Sequence, residues 1–376
     1  MAPMPRVYLD ANATTPLDPR VREAMERWLD CGNASSLHAE GRAARAALDL
    51  AREQVAALVG ARPREIVFTS GATEANALAL LGAVRANAVR RVACSAVEHP
   101  SVLRSLEALG PDIDLDVLGV GRDGRVAEDA PIRAGTGLLS LMLANNETGA
   151  VMPVQAIAAR ARAAGAIVHT DAVQACGRMP VSVDDLGVDL LSLSAHKMHG
   201  PKGAGALFVR KGVRLAPASR GGEHERGLRP GTENVAAIAG LGAAADLASR
   251  ELDARRRLWE RLRAPFLARL RAEQPDARVN SPEDGIPNTI SVTFRGIPGD
   301  ALLMGLDLAG IAVSTGSACA SGATEPSHVL LAMGLSREEA SRSLRVSFHA
   351  GSREEDAAAC LDALARCVKG LHARRA

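Results

Sequence analysis

Leu191-Ser192-Leu193-Ser194-Ala195-His196-Lys197-Met198-His199-Gly200-Pro201-Lys202-Gly203 is the stretch that decides how this chain is read. A short apolar run passes into hydroxyl and imidazole groups, then a lysine, then a glycine turn. That order predicts a strand end presenting Lys197 to a ligand. An ordinary lysine is exposed and needs none of these neighbours. A lysine that forms an imine with an aldehyde cofactor needs all of them: a rigid support, groups able to hold phosphate, and backbone that can come close.

Working outward, other short apolar runs predict further strands: Ile66-Val67-Phe68-Thr69, Arg91-Val92-Ala93-Cys94, Gly137 to Leu143, Ile167-Val168-His169-Thr170 and Leu190 to Leu193. Helical patterns lie between them, as in Ala43 to Leu58 and Ile157 to Ala164. Strand–helix alternation predicts an α/β fold, a mostly parallel sheet covered by helices on both faces. The strands are unbroken apolar runs, as expected when both faces are buried. Ala237 to Glu273 reads as one or two long helices with a hinge near Glu251 to Ala254. Beyond it, Asn288 to Phe294 and Arg345-Val346-Ser347-Phe348 suggest a smaller α+β domain. The expected division is a large domain over residues 13–253 and a small one over 1–12 with 254–376.

A chain of 376 residues with 47% hydrophobic and 23% charged content reads as soluble and globular. A net charge of +2 gives no electrostatic case for nucleic acid or a membrane surface. Met1 to Asp10 has no apolar stretch of signal-peptide type, which makes the cytoplasm the expected compartment. The cysteines at 31, 94, 176, 319, 360 and 367 form no CxxC pair, so neither a disulfide framework nor a metal site is expected.

Polar residues gather at the predicted strand ends, where open parallel sheets bind ligands. Ser70-Gly71-Ala72-Thr73-Glu74 opens a helix, and small residues with a helix dipole suit a phosphate. Alone it would be an ordinary N-terminus. Asp171 follows the His169 strand and suits a pyridinium nitrogen, with Gln174 one turn further on the same face. Glu98-His99 and Asn145-Asn146-Glu147 follow two other strands, and His99 could stack on a ring or carry protons. Cys319 lies in the small, polar stretch Ser314 to Gly322, which reads as an exposed, mobile loop bearing a candidate nucleophile.

Together these segments resemble the pyridoxal-phosphate enzymes of the class V aminotransferase fold, and among them the cysteine desulfurases. The resemblance covers nearly the whole chain. It runs from Tyr8-Leu9-Asp10-Ala11-Asn12-Ala13-Thr14-Thr15-Pro16 and Gly32-Asn33-Ala34-Ser35-Ser36-Leu37-His38, through the strand-end motifs, to Gly227-Leu228-Arg229-Pro230-Gly231-Thr232-Glu233-Asn234, Ser314-Thr315-Gly316-Ser317-Ala318-Cys319 and Leu344-Arg345-Val346-Ser347. It departs at Ala34, often proline in the family, and at Pro230, often serine. The Ser-Ala-Cys segment is similar to the branch serving nitrogenase and general iron–sulfur cluster supply.

The resemblance implies a fold type I enzyme with pyridoxal 5'-phosphate. Lys197 would be the imine lysine. Asp171 would pair the pyridinium nitrogen, Gln174 the phenolic oxygen, and His99 would stack on the ring. Ala72, Thr73, Ser194 and His196 would hold the phosphate, joined by Thr232 from the other subunit of a homodimer. Asn146 and Arg345 would bind the substrate carboxylate, Arg345 as a bidentate clamp. Cys319 would accept sulfur from L-cysteine, leaving L-alanine, and pass it to an acceptor such as an iron–sulfur scaffold or a transfer-RNA thiolation enzyme. At a scaffold it would meet a nascent iron–sulfur cluster. A selenocysteine lyase, a class V aminotransferase and a non-catalytic scaffold are the competing expectations. Transamination needs no thiol in such a loop.

Overall fold

Residues 6–315 and 325–373 are described by the computed structural model. Among the described residues, twelve strands form three sheets: β1 Val7–Tyr8, β2 Ile66–Thr69, β3 Arg91–Ser95, β4 Asp114–Leu118, β5 Leu138–Ser140, β6 Ile167–Asp171, β7 Leu190–Ser194, β8 Gly205–Val209, β9 Ala277–Val279, β10 Thr289–Phe294, β11 Ile311–Ala312 and β12 Ser343–Ser347. The largest sheet has the order β2-β8-β7-β6-β5-β3-β4. From β7 to β4 every pairing is parallel, and β8 alone runs against both its neighbours.

Strands β2, β5 and β7 of this sheet carry consecutive apolar residues because successive side chains enter different cores. Leu190, Leu138, Val67 and Leu207 point into a core shared with the helices Ala72–Asn87 and Pro100–Glu107. Their neighbours Leu191, Leu139, Phe68 and Phe208 point into the core on the other face, beneath the helices Ala39–Val59 and Val235–Arg250. Helices therefore cover both faces, as the strand–helix alternation predicts.

β5 is shorter than the predicted Gly137 to Leu143 run. On one side the pairing continues, with Leu141 N–H donating to the His169 carbonyl at 3.0 Å and Leu143 N–H to that of Asp171 at 2.9 Å. On the other side the Met142 N–H turns to the Glu98 carboxylate at 2.8 Å, so the ladder with β3 ends there. β4 and β8 are absent from the sequence reading. β4 is an edge strand carrying Asp114 and Asp116, which breaks an apolar run, and β8 is an antiparallel return straight after the lysine turn.

A second core joins Leu9, Trp259, Phe266, Ile290, Ile311, Leu344, Val346 and Phe348. Here β10 pairs antiparallel with β12 and β9, and β1 pairs with β11, so the first described residues pack beside late ones. The long helical region divides at Glu251 into Val235–Arg250 and Leu252–Glu273. Val329, Leu330, Met333, Leu335 and Ala340 belong to the large-sheet core instead. No helix among the described residues is long and apolar enough to cross a membrane.

Candidate active site

A cleft of about 650 Å³ opens at the carboxyl ends of β2, β3, β5, β6 and β7. Its lining includes Ala72, Thr73, His99, Asn146, Asp171, Gln174, Ser194, His196, Lys197 and Arg345, so ten of the sequence-predicted site residues meet in one place. Thr232 is exposed and lies outside this lining. Cys319 lies outside the described residues.

Lys197 ends the short turn Ala195–Lys197 that follows β7. Its Nζ donates to the carbonyls of Asn12 at 2.6 Å and Ala13 at 2.8 Å. Burial, with Arg178 and Arg345 nearby, lowers its pKa to about 7 against the opposing pull of Asp10 and Asp171. A lysine amine that is substantially neutral near pH 7 is a nucleophile and a base.

Asp171 closes β6 at the cleft floor. Its Oδ2 accepts from Asn76 Nδ2 at 2.8 Å and its Oδ1 from the Val173 N–H at 3.0 Å, which fixes the carboxylate. Gln174 Nε2 donates to the Asn12 carbonyl at 3.0 Å. His99 caps the helix Pro100–Glu107: its Nδ1 accepts the Ser101 N–H at 3.1 Å. The neutral ring therefore carries its proton on Nε2. Desolvation lowers the His99 pKa, and Asp171 opposes that shift.

At the other end of the cleft, Gly71 precedes the helix Ala72–Asn87 with no side-chain cap, leaving the first turn's N–H groups to a ligand. Gly205 lets β8 pass close behind: a Cβ there would meet Gly71 backbone at 2.7 Å. Burial and the neighbouring Lys197 push His196 down to about 4, so it is neutral at physiological pH. Its Nδ1 lies 3.1 Å from Thr14 Oγ1.

Arg345, on β12, crosses from the second core. It is buried, with Nη2 on Asp10 Oδ1 at 2.7 Å and Nη1 on the Asn146 carbonyl at 3.2 Å, while Nε has no partner among the described residues. Behind this wall lie two buried carboxyls, raised to about 8 at Glu98 and about 7 at Glu147, chiefly by burial. The chain resuming at Glu325 is tied to them: Ser327 Oγ donates to Glu147, and His328 Nε2 lies 2.9 Å from the Glu98 carbonyl.

Sequence reasoning missed Asn12, Asn76, Asp10, Glu98 and Arg178 as site supports. Asn76 carried a signal: a buried amide on a helix whose neighbours are Ala75, Leu78 and Ala79. Asp10 and Asn12 are joined to the site only by contacts distant in sequence, whereas Glu98 adjoins His99 and Arg178 lies four residues from Gln174.

The donor set fits one elongated group. A fixed carboxylate suits a basic ring nitrogen, a partly neutral lysine suits an aldehyde, and an uncapped helix start beside Ser194 and His196 suits a phosphate. The sequence pattern of the family described as aminotransferase class-V matches residues 7–359. The chain belongs to this family.

Among its relatives, a "Cysteine desulfurase IscS" of Dictyoglomus turgidum is 43% identical over 376 residues, 97% of this chain and 95% of its own length. A "Cysteine desulfurase" of Cereibacter sphaeroides is 50% identical over 341 residues, 88% of this chain and 87% of its own. A solved "NifS-like protein" superposes with a TM-score of 0.91 at 36% identity, covering 97% of this chain and 100% of that one. Another, "SspA in complex with cysteine", gives 0.79 at 35% identity over 91% and 98%. Members of the class V family of this kind use pyridoxal 5'-phosphate, and the residues of the cleft are suited to hold it.

The lowered Lys197 pKa has a direct consequence. Only the neutral amine attacks an aldehyde, and its fraction grows as pH rises through the folded-state pKa. Uptake of pyridoxal phosphate by the apoprotein should therefore accelerate as pH passes about 7 and level off above it. Stopped-flow absorbance across pH 5.5–10 checks this on the order-of-magnitude scale of a buried lysine. A rise centred near the ordinary lysine value would contradict it.

Proposed function

We propose that the protein is a cysteine desulfurase that converts L-cysteine to L-alanine and leaves the sulfur as a persulfide on Cys319. The observation that carries this reading is the convergence of Lys197, Asp171 and Arg345 on one cleft. Its balance is simple: L-cysteine and the Cys319 thiol give L-alanine and the Cys319 persulfide, with no external oxidant. A purified protein that takes up pyridoxal phosphate and releases alanine from L-cysteine is the test. Release of a keto acid with transfer of the amine would favour an aminotransferase.

Pyridoxal phosphate, when bound, supplies an electron sink for the pair left at Cα when its proton departs. The chain's own groups do the rest. Arg345 and Asn146, both lining the cleft, receive the substrate carboxylate. Lys197 takes the Cα proton on Nζ. Asp171, held by Asn76, would offer its carboxyl group to the ring nitrogen. His99 presents Nε2–H to the cleft. The Cys319 thiolate attacks the substrate sulfur, the S–S bond forms as the C–S bond breaks, and a proton returned to the carbon skeleton completes alanine.

Losing a charge-assisted contact costs roughly 1.5–3 kcal/mol, so Arg345→Lys should lower kcat/KM for cysteine by about one to two orders of magnitude. Most of the change should lie in KM. Near-normal steady-state kinetics would remove Arg345 from substrate binding.

The larger domain spans residues 13–253 in this reading, with 1–12 and 254–376 forming the smaller one, apart from the segment around Val329–Leu335 that packs on the large core. The working unit is a homodimer in which the exposed Thr232 reaches the partner's phosphate site. Hybrids of Thr232→Ala and Lys197→Ala chains gather both defects in one site and leave the other whole. Hybrid activity should therefore exceed that of either parent alone, measured after mixing and separation by differential tags. No recovery would argue against a shared site. The acceptor is a sulfur-accepting protein such as an iron–sulfur scaffold, approached in the cytoplasm.

A further inference from the structure

Arg178 is 3% exposed, yet every hydrogen bond it makes among the described residues ends on a neutral oxygen. Its Nη1 donates to the Gln174 carbonyl at 3.1 Å and to the side-chain oxygen of Gln174. Its Nη2 reaches the carbonyls of Lys197 at 3.3 Å and Ala11 at 3.4 Å. A buried cation with no carboxylate partner is costly. Burial lowers its pKa to about 9, which still leaves it charged at neutral pH.

We propose that Arg178 is a positioning residue that fixes which end of the Gln174 amide faces the cleft. An amide has one acceptor end and one donor end. Arg178 occupies the oxygen, and the Asn12 carbonyl takes one N–H of Nε2 at 3.0 Å. Flipping the amide would set NH₂ against the guanidinium and oxygen against the Asn12 carbonyl. Donor would face donor and acceptor would face acceptor, so only one orientation is satisfied. The remaining Nε2 hydrogen is then the group left for a ligand in the cleft that Gln174 lines. An acceptor such as the phenolic oxygen of the cofactor matches it. This rests on the pyridoxal-phosphate reading above.

The experiment uses the loaded enzyme and reads two quantities besides turnover: the position of the visible absorption band at fixed pH, and the dissociation constant for pyridoxal phosphate. Wild type, Gln174→Ala, Arg178→Met, the double variant and Arg178→Gln are compared. Arg178→Met should move the band in the same direction as Gln174→Ala and weaken cofactor retention about tenfold. The double variant should match Gln174→Ala alone, because Arg178 acts through that amide. Arg178→Gln keeps a neutral donor without the charge and should stay close to wild type. It also decides the matter if Arg178→Met does not fold, since a displaced band in a folded Arg178→Gln protein would overturn the proposal. Additive shifts in the double variant, or an Arg178→Met band identical to wild type, would overturn it as well. A wild type that bound no pyridoxal phosphate would overturn the parent reading and this inference with it. A loaded wild type with additive variants would overturn the inference alone.

Discussion

Lys197→Ala should abolish turnover, with kcat falling by at least roughly three orders of magnitude, the scale of a lost base and nucleophile together. The fold should survive. Burial beside Arg178 and Arg345 already disfavours the protonated amine, so its removal costs the fold little. The Asn12 carbonyl that it leaves still accepts from Gln174 Nε2. Loss of activity will then be a chemical loss. Borohydride reduction of the loaded wild type, followed by peptide mapping, gives the sharper readout. The sequence has lysine only at positions 197, 202, 211 and 369, so the modified peptide is easily assigned. The adduct should sit on Lys197 and vanish in the variant. An adduct on Lys202, which also lines the cleft, would move the reactive amine to that residue.

Cys319→Ala should have the second largest effect, and a different one. Among the described residues, the cleft holds its groups without any contribution from a thiol. The variant should therefore keep bound cofactor and still bind L-cysteine, seen as a spectral change on mixing. Alanine release should fall by at least roughly two orders of magnitude, since the nucleophile toward the substrate sulfur is gone. The other cysteines are poor substitutes. Burial raises the thiols of Cys176 and Cys360 to about 12 and that of Cys94 higher still, so none of these forms a thiolate at neutral pH. A variant that kept wild-type alanine release would mean that sulfur leaves without a protein carrier.

Much of this site was legible because each piece is local. Strand ends announce themselves as apolar runs stopping at polar residues, and in a parallel sheet those ends lie on one edge. Ser70 to Glu74, His99, Asn146, Asp171 and Lys197 therefore meet in the cleft without any contact being known in advance. The glycine between β2 and its helix was legible for the same reason. The supports were not legible, because their partners are remote. Gln174 is met by Asn12 across 162 positions, and Arg345 by Asp10 across 335. Asn76 meets Asp171 across 95. Apart from the apolar neighbours of Asn76, nothing near these residues in sequence distinguishes a site support from a surface polar group. Arg178 reads as one more arginine among many until its burial is known. The strands missed in the large sheet, β4 and β8, fail for a physical reason too. β4 is interrupted by aspartates, and the buried run Ala206-Leu207-Phe208 of β8 follows so closely on the glycine turn after Lys197 that it reads as part of that turn.

Cys319 lies outside the described residues, and its role stands on sequence and on the chemistry left unfilled by the cleft. The most direct test of the proposed reaction is mass spectrometry of the wild-type protein after brief exposure to L-cysteine, with thiols alkylated before digestion. The expected result is one additional sulfur on the peptide containing Cys319 and none elsewhere. Additional sulfur on the peptides of Cys31, Cys94, Cys176, Cys360 or Cys367 instead, with Cys319 unmodified, would contradict it.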